Sequence, residues 1–232
     1  MSKLSRRNFF LTTSGIAASM AVGANVVQAN ETESSGLVTG QPKPLRYKAI
    51  PGFLSAEQIE PHHTAHYGGA LRGHISADEA LQSSIVDDVA MDSNRYGALQ
   101  RAKASKGNSV LLHELYFDGL SFTTTSPNAD IRQAIEKRFG SIDKWSSDFQ
   151  ASAKAAAGWA MLTYHPINGK LYNVVSDEHA TGPLWMAVPL VVIDVYEHAF
   201  YVDYTNRKAE YIEKFMDFID WDVVNNRYKV AT

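Results

Sequence analysis

Apolar and polar positions along this chain follow two different periods. Leu54-Ser55-Ala56-Glu57-Gln58-Ile59 opens a helix, with Ser55 as N-cap and Gln58, three residues on, as its capping-box partner. The helix is expected to continue through His62 and His66, with Pro61 tolerated in its first turns and Gly68-Gly69 weakening the turns behind them. Residues 77–91 and 95–118 carry further helical periodicity, and Ser126-Pro127-Asn128 breaks it. Residues 128–139 and 142–157 read as two more helices. Then the period changes. Trp159–Tyr164, Lys170–Ser176 and Ala187–Ile193 read as strands, with Asn168-Gly169 as a hairpin turn between the first two. Helical segments around 197–204 and 208–219 close the chain. The order is helices, then helices with a small antiparallel sheet, then helices, which is an α+β pattern.

The N-terminus stands apart from that pattern. A basic start (Lys3, Arg6, Arg7), a mildly apolar run from Thr12 and the small-residue site Val27-Gln28-Ala29 form an export signal over residues 1–29. Its apolar run is diluted by Thr, Ser, Gly and Ala, too polar for a membrane span. Ser5-Arg6-Arg7 followed by Phe9 resembles a twin-arginine signal, with an ordinary secretory signal or a retained anchor as alternatives. The expected destination is the periplasm or the extracellular space, with no stable membrane insertion once the signal is removed. Residues 30–45 are polar with Gly and Pro and read as a flexible leader.

Charge and composition narrow the chemistry. Lys and Arg number 22 against 25 acids, and removal of residues 1–29 leaves 19 against 25. No basic field is available for nucleic acid. The chain has no cysteine, which excludes disulfides, thiolate metal sites and cysteine nucleophiles. Any metal ligands must come from His, Asp and Glu, and eight His are available.

Three places carry candidate chemistry. His62 and His66, one helical turn apart, share a face, while His63 points elsewhere. Such a pair can grip a metal or be a plain surface cluster. Asp194 ends the apolar run Pro189-Leu-Val-Val-Ile, where a buried carboxylate is costly unless paired or coordinated. His198 comes four residues later, close enough for a tight turn to bring it alongside. His113 sits among Leu111, Leu112, Leu115, Tyr116 and Phe117, where a histidine is ordinarily a satisfied core residue.

Taken together, these stretches resemble the iron/manganese superoxide dismutases. Asp194-Val-Tyr-Glu-His-Ala-Phe-Tyr-Val-Asp-Tyr204 is similar to the family's Asp-x-Trp-Glu-His-Ala-[Tyr/Phe]-Tyr signature. Ile59-Glu-Pro-His62-His-Thr-Ala-His66 resembles its N-terminal ligand helix, and His113-Glu-Leu-Tyr-Phe its second ligand motif. Gly158-Trp159 and Pro183-Leu184 resemble two further family dipeptides, and the resemblance covers residues 45–225. It implies a two-part fold, with a helical hairpin over 46–122 and a mixed α/β part over 128–228, and a metal between them. The implied ligands are His62, His113, Asp194 and His198, holding one iron or manganese per subunit. His179 resembles the outer residue that contacts solvent at the metal, and Glu197 the residue that bonds a ligand His across a two-fold axis. His66 and Tyr201 resemble residues of the substrate funnel near that interface, and Trp159, Tyr196 and Phe117 the aromatic shell. The implied activity is dismutation of superoxide to oxygen and hydrogen peroxide by a homodimer or tetramer.

The chain also departs from the family. Ala70 stands where a gateway Tyr is usual, Phe117 and Tyr196 replace Trp, and Met161 replaces a frequent aromatic. These departures keep two other readings open: a peroxidase-like enzyme on the same scaffold, or a metal-binding dimer without turnover. The missing gateway hydroxyl predicts a wider, wetter funnel, unless Tyr67 swings in to fill it.

Overall fold

The computed structural model of the chain describes residues 34–86 and 92–232; the expected export signal, the first residues of the expected leader and the end of the helix expected over 77–91 lie outside them. Residues 34–45, expected as a flexible leader, are instead held in place. Ser35 caps a short helix, α1 (Gly36–Thr39), by accepting from Leu37 N. The chain then runs on to α2 (Ala56–Pro61), where the Ser55 hydroxyl accepts from Gln58 N at 3.1 Å. Only that half of the capping box forms. The Gln58 amide reaches forward instead, donating to His198 O at 2.6 Å and accepting from Val202 N at 3.0 Å.

Pro61 closes α2 and has no N–H to give the preceding turn. The helix widens directly behind it into a π-helical turn, His62–Tyr67, before resuming as α3 (Gly68–Val86). Gly68 and Gly69 do not interrupt it. The next helix, α4 (Ser93–Asp118), starts where Asp92 accepts from Asn94 N and Arg95 N. It packs along α3 and against the sheet. These are the two long arms of the expected hairpin.

Asn128 and Ser141 cap α5 (Ala129–Phe139) and α6 (Ile142–Ala155). Three strands come next: β1 (Trp159–His165), β2 (Lys170–Ser176) and β3 (Val188–Asp194). They form the small antiparallel sheet that the pattern predicts, and its strand order is β2-β1-β3. Gly169 makes the β1–β2 turn with φ of 64°. The middle strand is buried nearly throughout, which explains its continuous apolar run. Trp159 pairs with Asp194 on one side and with Ser176 on the other. Pro183-Leu184 lies in the loop between β2 and β3, with Leu184 and Trp185 exposed.

After β3 the chain makes a tight turn at Glu197–Ala199, then α7 (Tyr201–Tyr204) and α8 (Lys208–Phe215). A last helix, α9 (Trp221–Ala231), goes beyond the elements the pattern predicts. Only Trp221 and Val224 of it are buried, so its apolar period is faint. Asp220 starts it by accepting from Asp222 N and Val223 N. One hydrophobic core runs through both parts, from Phe53, Tyr67 and Tyr116 to Trp145, Phe149, Trp159 and Phe215. Among the described residues no helix is long and apolar enough to cross a membrane.

Asn128 both caps α5, accepting from Ile131 N at 3.1 Å, and donates its own N–H to Asn225 on α9. Replacing Asn128 with Ala should lower the unfolding free energy by about 1 kcal/mol, the ordinary value of an N-cap. Urea unfolding of the metal-free protein measures it. An unchanged midpoint would mean that the cap contributes nothing here.

Candidate metal centre

Four side chains from four different segments meet at the end of β3. Asp194 is fully buried, and its Oδ2 lies 3.1 Å from His62 Nε2, 3.3 Å from His198 Nε2 and 3.7 Å from His113 Nε2. The ligand-capable atoms of all four lie within 4.8 Å of one another. His62 comes from the π turn, His113 from α4, Asp194 from β3 and His198 from the turn after it. Their burial differs: His62, His113 and Asp194 are closed off, while the His198 side chain is 21% exposed.

Each group is fixed from behind. Asp194 Oδ1 accepts from Tyr196 N at 2.9 Å, and its carbonyl accepts from the Tyr211 hydroxyl at 2.8 Å. Tyr211 in turn bonds Tyr116. His113 Nδ1 donates to Ser109 O at 2.6 Å, since a carbonyl can only accept. That bond sets the tautomer and leaves Nε2 with a lone pair. The Gln58 bridge holds the His198 backbone to the helix that leads into His62. These supporting residues carry no signal of their own in the sequence, because Ser109 acts through its backbone and Tyr116 and Tyr211 read as core.

The chemistry of this donor set tests whether it fits a cation. A lone pair on His113 Nε2 facing an ionised carboxylate is repulsive. His113 Nε2 and His198 Nε2, which face the carboxylate, are buried without a hydrogen-bond partner. Buried nitrogens left unpaired around one carboxylate cost free energy unless something binds them. A divalent or trivalent cation among them satisfies the carboxylate and the lone pairs together. Three imidazoles and a carboxylate suit iron or manganese, and zinc would also accept them.

Around the four sits an aromatic wall. Phe117 packs 4.9 Å from the His62 ring, Trp159 stands edge-on to His113 at 5.1 Å, and Tyr196 stacks on His198 at 5.3 Å. Gly158 is required beneath Tyr196, because a Cβ there would come within 2.9 Å of the ring and of two carbonyl oxygens. Met161 is buried in the sheet core. His179 lies one layer out, its ring 6.4 Å from that of His113. Its Nδ1 accepts from the Trp159 indole at 3.0 Å, so the proton of the neutral ring resides on Nε2.

His66 and His62 share a face, and both reach His198. The His66 ring stacks on His198 at 3.8 Å, whereas only His62 extends to Asp194. Tyr201 and Glu197 are exposed, and among the described residues the Glu197 carboxylate has no partner within the chain. Ala70 is buried, and Tyr67 does not replace the missing hydroxyl. The Tyr67 hydroxyl turns away to Glu114 and Lys43 N. Among the described residues no tyrosine hydroxyl bonds a side chain of the four.

The chain is similar to known proteins of one family. Residues 127–227 match the family described as iron/manganese superoxide dismutases, C-terminal domain. A superoxide dismutase [Fe] of Aquifex pyrophilus is 36% identical over 77% of this chain and 85% of its own length. A superoxide dismutase [Mn] of Haloferax volcanii is 32% identical over 82% of this chain and 94% of its own length. A superoxide dismutase [Fe] of Cupriavidus metallidurans is 34% identical over 77% of this chain and 90% of its own length.

Protonation states give a prediction for the metal-free protein. Burial lowers the pKa of His62 and brings that of His113 from 6.5 to about 3. Burial alone would raise Asp194, but the His198 and His62 imidazoles beside it outweigh burial and hold the carboxyl well below its usual range. Both histidines stay neutral when folded and take up protons on unfolding below pH 6.5. Their stabilisation is complete above that value and is lost as pH falls toward about 3. The thermal midpoint of the metal-free protein should fall across this window, and the fall should shrink in His113→Leu. A midpoint that stays flat over the same range would contradict the buried neutral pair.

Proposed function

The chain belongs to the iron/manganese superoxide dismutase family, and from that premise we propose that it is an exported homodimeric dismutase holding one iron or manganese per subunit on His62, His113, Asp194 and His198. The observation that carries the ligand assignment is the convergence of three imidazole Nε2 atoms on one buried carboxylate oxygen. The bound ion supplies the one-electron exchange that turns two superoxide ions and two protons into one oxygen and one hydrogen peroxide.

The protein's own residues do the rest. Ser109 O and the Tyr116–Tyr211 pair hold His113 and Asp194 in their orientations, so no reorganisation is needed during turnover. Phe117, Trp159 and Tyr196 keep bulk water off the ligands. His179, with its proton on Nε2 and its ring one layer out from His113, is the proposed donor of protons to reduced oxygen species and tunes the site. His66 and Tyr201 line the approach from solvent. Ala70, buried among apolar neighbours, supplies no hydroxyl there.

Dimerisation and export are further parts of the proposal. Glu197 is exposed next to His198 and has no partner within the chain among the described residues, which suits a bond to the same histidine of a second copy. The Arg6-Arg7 pair suits the twin-arginine route, by which folded, metal-loaded proteins are moved, to the periplasm or beyond.

Three experiments test this reading. Purified protein loaded with iron or manganese should remove superoxide, and His113→Ala or Asp194→Ala should abolish both metal retention and activity. Full activity and stoichiometric metal in either variant would refute the ligand assignment. Glu197→Ala should sediment as monomer at concentrations where the parent is a dimer, and a dimer with unchanged metal affinity would remove Glu197 from the interface. Arg6→Lys with Arg7→Lys should leave the precursor in the cytoplasm, whereas normal export would point to the general secretory route.

A further inference from the structure

Glu114 comes directly after His113 on α4 and points to a different side of the helix. It is only 8% exposed. Its Oε1 accepts two hydrogen bonds of 2.8 Å, one from Gly36 N on α1 and one from the Tyr67 hydroxyl. Tyr67 ends the π turn that begins with His62. Its oxygen also accepts from Lys43 N at 2.7 Å. Farther along α4, Lys43 Nζ pairs with Asp118 at 2.6 Å, and Arg46 donates to Asp118 O at 2.7 Å and to Asp220 at 2.9 Å. Residues 35–46 are therefore fastened to α4 at several points, and Glu114 ties that strap to the π turn.

The join has little tolerance. A Cβ on Gly36 would lie 2.8 Å from the Tyr67 hydroxyl, 3.0 Å from Gln41 O and 3.1 Å from Leu71. Burial raises the Tyr67 pKa, so its hydroxyl remains a donor. A buried carboxylate served by two neutral donors is costly, and an apolar pair of similar size would cost less. Stability alone is thus a poor reason for Glu114. What this bridge fixes is the separation between the π turn bearing His62 and the helix bearing His113, whose rings are 5.0 Å apart.

We propose that Glu114 and Tyr67, clamped by the strap of residues 35–46, are positioning residues for the metal centre. This segment, most of which the sequence presents as a flexible leader, belongs to the machinery that holds the ion. The proposal rests on the metal-centre reading above.

The test uses the mature protein loaded with manganese or iron. Three quantities are read for Glu114→Leu, Glu114→Gln, Tyr67→Phe and Gly36→Ala: the rate of metal loss to excess chelator, the visible or electron paramagnetic resonance signature of the ion, and the thermal midpoint. Glu114→Leu should lose metal about tenfold faster, the usual scale for a group supporting a ligand. It should also shift the spectroscopic signature. Glu114→Gln keeps an acceptor oxygen and should recover most of both properties, while Tyr67→Phe and Gly36→Ala should move them in the same direction as Glu114→Leu. A lowered midpoint with unchanged signature and unchanged metal loss would overturn the proposal and leave a purely structural bridge. Should Glu114→Leu not fold, Tyr67→Phe removes a single hydroxyl and decides the question alone. A parent protein that retains no iron or manganese would instead overturn the metal-centre reading itself.

Discussion

Asp194 has no access to water, and its carboxylate faces three imidazole nitrogens, one of which carries a lone pair set by Ser109. Removing a carboxylate from water costs several kcal/mol even after relaxation, and neutral imidazoles offset only part of it. A cation in their midst removes that cost and the lone-pair repulsion together. Much of the surrounding architecture can be understood as holding this one arrangement. β3 brings Asp194 to the sheet's end opposite Trp159, the next turn returns His198 beside it, and Tyr211 holds the Asp194 carbonyl. Gly158 leaves the room for Tyr196 that this turn needs.

The other two imidazoles come from the helical half, so the site depends on how the halves meet. That relation is not left to packing alone. Gln58 on α2 bonds the His198 carbonyl within the turn and the Val202 N–H just after it, and Arg227 on α9 donates to Leu190 O on β3 and Leu115 O on α4. The core continues through both halves, with Phe53 stacked on Tyr211. The π turn after Pro61 belongs to the same logic. One widened turn lets His62 reach Asp194 while His66, a turn later, lies flat on His198.

The strands, their hairpin and most helices are legible from the sequence because each leaves a local trace: a period, a cap or Asn-Gly at a turn. The four residues that meet at Asp194 are legible for a different reason. Their spacing alone allows plain surface or core histidines, and it is the joint resemblance of three motifs that singles them out. What the sequence could not convey is mediated by backbone or by distance. Ser109 acts through a carbonyl, Gln58 looks like a cap and serves a loop 140 residues away, and α9 buries too few side chains to show a period. The leader misleads because Gly and Pro signal flexibility only when nothing fastens them, and here Lys43 and Arg46 do. Tyr67, three residues before Ala70, is a candidate to fill the open gateway and is committed elsewhere.

The central claim is that one ion sits among three imidazoles and one carboxylate. X-ray absorption at the iron or manganese edge of the loaded protein tests it most directly. The account predicts a shell of nitrogen and oxygen only, with outer-shell scattering from three imidazole rings. Scattering from fewer than three rings in the loaded protein would contradict it.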